Sequence, residues 1–247
     1  MRDPPLQILY QDAHLIAVNK PPGLAVIPGR GETDSVLEYL ARQLNLPCSG
    51  TPDPRLRVVH RLDKQTSGVL LFATDITGQR CLSHQFQNNQ AAKEYLAIVA
   101  GQPGEESGQI DAPLGPSRSS PQRMAITSRG RPARTLWRIE QRFGPFSLLR
   151  VFPHTGKTHQ IRVHLLFLAL PLAVDEIYNS QSKGIYLSSF KRAYRKTGDE
   201  RPLISRLTLH AEKLSFLNVE SQSVQITAPF PKDFRATLNM LGKYGRR

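Results

Sequence analysis

The chain has 247 residues, 39% hydrophobic and 21% charged, enough to bury a core as one globular domain or a bilobed one. No apolar run reaches the roughly eighteen residues that a membrane span needs, so no transmembrane helix is available. Thirty-three Lys and Arg against twenty Asp and Glu leave a net charge of +13, a field that attracts polyanions, of which nucleic acid is the commonest in a cytosol.

The opening "MRDPPLQILYQDAHLIAVNK" holds charge and proline where a signal peptide needs an unbroken apolar stretch. From residue 6 it predicts two short strands around the turn Gln11-Asp12-Ala13-His14. "KPPGLAVIPG" follows, bounded by Pro and Gly and unable to be helical inside. Val36, Leu37, Leu40 and Leu44 recur at helical spacing behind Asp34 and Ser35, either of which can cap the helix. "CSGTPDPR" is a loop. Its Cys48 and the later Cys81 lack CxxC spacing and read as reduced thiols of a cytosolic protein. "VVHRLDKQTSGVLL", residues 58–71, is two apolar segments around a polar turn, and "TGQRCLSHQFQNNQ" predicts a helix ending at Asn88-Asn89.

"AAKEYLAIVAG" predicts a strand with Tyr95, Ala97 and Val99 on one face and Glu94, Leu96 and Ile98 on the other. Residues 101–135 are turn-rich and basic, with short strands around "QIDAPL" and "RMAIT". Arg118, Arg123, Arg129, Arg131 and Arg134 crowd this stretch, and guanidinium groups grip phosphate bidentately. "ARTLWRIEQRFGPFSLLRVFP" predicts a hairpin turning at Phe143-Gly144-Pro145. "THQIRVHLLFLAL" is helical, with Ile161, Leu165 and Leu168 as its core stripe and Pro171 as its stop. Residues 179–206 are polar, carry Lys191, Arg192, Arg195, Lys196, Arg201 and Arg206, and read as a basic surface insertion, equally well a solvated loop of no special role. "LTLHAEKLSFLN" and "SVQITAP" are two more strands. Strands with a few interspersed helices and no regular βαβ alternation predict an α+β domain on a mixed, mainly antiparallel sheet.

Three places invite chemistry. A lone Asp beside Ser and Gly is usually a turn residue that caps backbone N–H groups. Asp63, however, stands two residues after Arg61 and between apolar runs, where Thr66 and Ser67 can pin the loop and Gly68 lets it turn back. In "HTGKTHQIRVH" the letters GKT do not make a phosphate loop, because Val151 occupies the position of the required first glycine. His159 and His164 are five residues apart, about 140° around a helix, which argues against a shared zinc ion. Arg162, between Ile161 and Val163, lies in a run too apolar for a wholly exposed helix and is expected to point into a cleft. Tyr95 is by default a core tyrosine, of interest only if Asp63 and Arg162 meet beside it.

Taken together, "HRLDKQTSG", "KEYLAIVAG", "TGKTHQIRVH" and "NKPPGLAVIPG" resemble the RluA-type family of RNA pseudouridine synthases, in that family's motif order; the S4-like domain that many relatives carry at the N-terminus is not expected here. "LTLHAEKLSF" and "APFPKDF" are similar to its closing strands. The resemblance implies a pseudouridine synthase fold, a central sheet with flanking helices and a catalytic cleft, and an isomerisation needing no cofactor and no metal. It assigns Asp63 as the catalytic carboxylate, Arg162 as the cation that keeps it charged, and Tyr95 as the ring against the uracil that assists proton removal at C5. Arg61 matches the residue that displaces the flipped base. The remaining motif residues His60, Thr66, Lys157, His159 and Gln160 are expected at the RNA.

Lys157 stands where many relatives have arginine, and "AVDEIYN" departs from the usual Gly-Asp and Tyr-Gly while keeping Asp175 and Tyr178. The expected partner is structured RNA, ribosomal favoured over transfer RNA, with a monomeric enzyme in the cytoplasm and no membrane attachment. The alternative from another class is a non-catalytic RNA-binding or RNA-folding protein on the same scaffold.

Overall fold

A computed structural model describes residues 5–29, 34–47, 55–120, 122–195 and 198–245. Cys48 and Lys196, with most of the 48–55 loop, lie outside the described residues. The first part of the chain forms β1 (Ile8–Gln11), β2 (Leu15–Lys20), α1 (Val36–Leu44), β3 (Arg57–Val58), β4 (Ser67–Ala73) and α2 (Ile76–Gln87). The middle forms β5 (Ala92–Ala100), β6 (Ser107–Asp111), β7 (Leu114–Pro116), β8 (Met124–Ile126), β9 (Arg134–Phe143), β10 (Phe146–Pro153) and α3 (Gln160–Phe167). A 3-10 turn at Leu187–Ser189, β11 (Leu209–Leu217), β12 (Ser223–Thr227) and α4 (Lys232–Tyr244) complete it. The fold is α+β and mainly antiparallel, and no helix among the described residues is long and apolar enough to cross a membrane.

Two compact units are woven from these elements. The first takes the described residues up to Lys93 together with Ala211–Pro229. In it β1 pairs β2, and β2 pairs β4 from Leu15 opposite Ala73 to Lys20 opposite Gly68, all antiparallel. β3 borders β4, and β12 borders β11. All seven residues of β4 are buried, which is why "GVLLFA" is a continuous apolar run rather than an alternating one. Leu15, Ala17, Val69, Leu71, Leu82, Leu214, Phe216 and Ile226 make the core. Ser35 caps α1, its Oγ accepting the Glu38 N–H at 3.1 Å, and Asn45 ends it in the left-handed region.

The second unit takes Glu94–His210 and the chain from Phe230 onward. Its strands run in the order β5, β10, β9, β6, every pair antiparallel, with the separate hairpin β7–β8 beside them. β5 alternates as its period predicts. Ala97 and Val99 pack with Trp137, Leu149, Val151 and Ile161 and Leu165 of α3, while Leu96 and Ile98 join Phe143, Phe234 and Leu241 on the other face.

Three sequence expectations change here. The segment likened to a closing strand at "APFPKDF" turns helical at Pro231, where Phe234, Thr237 and Leu241 bury one side of α4. α3 is shorter than its apolar pattern, because Ala169 takes a φ of 57° and ends it before Pro171 is reached. Within 179–206, Arg192, Arg195 and Arg201 are exposed, but Ile185, Phe190 and Ile204 are buried in the α4 core and pin the segment down.

Candidate active site

Asp63 lies half-buried in the loop between β3 and β4 of the first unit, beside the exposed Arg61. The Thr66 N–H donates to the Asp63 carbonyl at 3.0 Å and closes the turn. Gly68 then re-enters β4 at φ +120°, with the Ala211 carbonyl oxygen 2.1 Å from where a Cβ would stand. No other residue fits that position, which gives the glycine of "TSG" its physical reason.

Two further residues fasten this loop. Lys20, at the end of β2, is wholly buried, and its ammonium donates to the carbonyls of Pro21 at 2.8 Å, Leu24 at 2.7 Å and Lys64 at 2.8 Å. The Gly23 N–H donates to the same Lys64 carbonyl at 2.9 Å, one peptide beyond Asp63. The "KPPGL" stretch is thus a clamp on the loop. His60 works from the other side. Its Nε2 accepts the Leu71 N–H at 3.0 Å, and its ring stacks on Phe86 at 4.5 Å. Burial, and then the charge of Lys93, push its pKa down to about 3, so the ring is neutral at physiological pH.

The second unit holds Tyr95, Arg162, Lys157, His159 and Gln160. Tyr95 is half-buried on β5, packed against the Ala97–Val99 face. Gln160 is buried and shapes the loop before α3. Its Oε1 accepts from Thr155 Oγ1 at 2.7 Å and the Lys157 N–H at 3.0 Å, while Nε2 donates to the Arg134 carbonyl and Thr135 Oγ1, each at 2.9 Å. His159 precedes the helix with φ 55°, its Nδ1 2.9 Å from the Tyr178 hydroxyl. His164, wholly buried, meets Thr135 Oγ1 at 2.9 Å and the Ala112 carbonyl at 3.0 Å, and burial lowers its pKa. Among the described residues no group of three or more His, Cys, Asp or Glu side chains is placed to hold a metal ion.

Arg162 is buried. Asp175 grips it bidentately, Oδ2 accepting from Nε at 2.8 Å and Oδ1 from Nη2 at 2.7 Å. The same Oδ1 accepts the backbone N–H groups of Ile177 at 2.9 Å and Tyr178 at 3.0 Å. Asp175, the partner of Arg162, has no role in the sequence reading; its signal is a carboxylate set in the apolar run "PLAVDEIY". Lys20 was missed as well, although two prolines after it offer carbonyls with no N–H of their own. On the surface of this unit Arg118, Arg129 and Arg131 are exposed around β7–β8, while Arg134 pairs with Asp111 at 2.7 Å.

The family model described as RNA pseudouridylate synthase matches residues 14–167. "Ribosomal large subunit pseudouridine synthase D" of Nitrosomonas europaea is 38% identical over 96% of this chain, and the chain spans 65% of that relative's length. "Ribosomal large subunit pseudouridine synthase C" of Escherichia coli is 35% identical over 95% of this chain and 69% of its own. Among solved structures, human RNA pseudouridylate synthase domain containing 4 superposes with a TM-score of 0.69 at 27% identity, covering 96% of this chain and 93% of that one.

Proposed function

This chain belongs to the RNA pseudouridylate synthase family, and we propose that it isomerises uridines of structured RNA to pseudouridine through Asp63. The reaction conserves every atom. The N1–C1′ bond breaks, the uracil turns, C5 bonds to C1′, and the proton leaving C5 is balanced by one gained at N1. Asp63 acts at the sugar, as nucleophile at C1′ or as base in a glycal route. Arg162 is the cation that the family resemblance assigns to the reaction. Tyr95 packs against the uracil ring and assists loss of the C5 proton. Arg61, exposed beside Asp63, takes the place of the extruded base, whose unstacking costs a few kcal/mol that phosphate contacts offset. Lys157 and His159 contact the RNA, while His60, Thr66 and Gln160 hold the loops from which these groups reach it.

The observation that carries this reading is the fastening of the Asp63 loop. A solvated turn needs no wholly buried lysine on its carbonyl and no neutral histidine behind it, whereas a catalytic carboxylate must be held within a fraction of an ångström. Ribosomal RNA is the favoured substrate, in keeping with the names of the relatives, and a monomer in the cytoplasm is the working form. The test is to incubate the purified protein with unmodified large-subunit ribosomal RNA and with transfer RNA transcripts, then map pseudouridine by chemical adduct and reverse transcription. New pseudouridines at discrete ribosomal sites are expected; RNA bound but unmodified would sink the proposal in favour of a binding protein.

A further inference from the structure

Tyr178 is buried, and its ring carries two guanidinium groups: Cζ of Arg162 lies 5.0 Å and Cζ of Arg123 lies 5.2 Å from its centroid. Its hydroxyl accepts the Met124 N–H at 2.8 Å and lies 2.9 Å from His159 Nδ1. Burial raises its pKa, so the phenol stays protonated and keeps a hydrogen to donate. One side chain therefore touches strand β8, the residue that precedes α3, and the arginine of α3 itself.

The apolar contacts run the same way. Leu114, Ala133, Val163 and Tyr178 form one small core against which Met124 and Ile126 pack, so the β7–β8 hairpin is seated on α3 around Tyr178. The backbone N–H of Tyr178 is held by Asp175, the carboxylate that grips Arg162. Arg123 belongs to the hairpin, whose neighbours Arg118, Arg129 and Arg131 are exposed. A phosphate held by Arg123 would act on the guanidinium that lies over the Tyr178 ring.

We propose that Tyr178 is a positioning residue whose hydroxyl, between Met124 of β8 and His159 at the start of α3, couples RNA contact at the β7–β8 hairpin to the placement of Arg162. This rests on the reading of Arg162 as part of the reaction centre. It adds that the RNA backbone, by engaging the hairpin, helps assemble the site that acts on it. The coupling is reciprocal, as any linkage between two binding events must be.

The closing experiment has a readout besides activity. Hydrogen exchange is followed with and without a short uridine-bearing RNA stem-loop. In the wild type, RNA is expected to protect the hairpin and the amides at 157–162 together; in Tyr178→Phe, protection of the hairpin should persist while that of 157–162 is lost. Joint protection that survives Tyr178→Phe, or no protection of 157–162 in the wild type, overturns the proposal. Should Tyr178→Phe fail to fold, Arg123→Ala decides, because 157–162 must then lose protection too. In turnover assays Arg123→Ala should lower kcat at saturating RNA at least about fivefold, with little further loss in the Arg123→Ala, Tyr178→Phe double variant. Multiplying effects, or a change in KM alone, contradict the coupling. Coupled protection without any pseudouridine would instead mean that the reaction assignment fails while the coupling stands.

Discussion

The loop that carries Asp63 and the helix start that carries Arg162 are held by opposite means. In the first unit a buried cation, Lys20, reaches out to three backbone carbonyls, that of Lys64 among them, and a neutral His60 takes a backbone N–H. In the second a buried anion, Asp175, reaches out to two backbone N–H groups and clasps Arg162 with the same carboxylate. The anion's loop is fastened by a positive group and the cation's helix by a negative one. Each fastening group thus serves two ends, satisfying a stretch of irregular backbone and fixing the position of the charge beside it. Because both are buried, neither should respond much to added salt, in contrast to ion pairs between exposed charges.

Removing the fastening groups one at a time separates the two halves. Asp175→Ala should be the most damaging to the fold, since breaking a buried ion pair costs about 3–5 kcal/mol and leaves the Arg162 guanidinium short of its bidentate partner. Chemical denaturation should show that loss, and activity should fall with it. Lys20→Met keeps the volume but takes the donor from three carbonyls. A loss of about 2–3 kcal/mol is expected, with kcat down on the order of a hundredfold as the Asp63 loop loosens and RNA binding little changed. Stability lost with kcat intact would show that the clamp serves only folding.

The smallest effect is a pH dependence. His60 sits near 3 in the folded protein against 6.5 for a free imidazole. Below about pH 6.5 the unfolded chain takes up a proton that the folded one refuses, so stability is full above that pH and drains away as pH falls toward about 3. Between pH 7 and pH 5 the wild type should lose about 1–2 kcal/mol more than His60→Gln, whose amide oxygen still accepts the Leu71 N–H without titrating. Parallel pH profiles of melting temperature for the two proteins would remove His60 from this account.

Most of the fold was legible because its signals are local. The alternation of β5, the Ser35 cap of α1, the Gly144-Pro145 turn and the apolar run of β4 each depend on a few neighbouring residues. α4 escaped because "APFPKDF" reads as extended up to Pro231, although Phe234, Leu238 and Leu241 repeat at helical spacing beyond it. Around the candidate site, what was legible is local: a loop pinned beside Asp63 and a buried arginine in an apolar helix. The site was not legible where the partner lies far along the chain: Lys64 is 44 residues from Lys20, and Leu71 pairs with His60 across a turn whose register only the folded strands define. The bonds by which Gln160 shapes its loop and His159 meets Tyr178 were likewise not legible, because Arg134, Thr135 and Tyr178 lie far along the chain.

The central claim is that one carboxylate carries the chemistry. Single-turnover pseudouridine formation should be compared for the wild type and Asp63→Asn on the same unmodified ribosomal transcript, with RNA binding measured alongside. The account predicts binding within a few-fold of wild type, or tighter for want of a negative charge facing phosphate, and a rate reduced on the order of a thousandfold or more. An Asp63→Asn protein that folds, binds and still isomerises uridine within tenfold of the wild-type rate would contradict it.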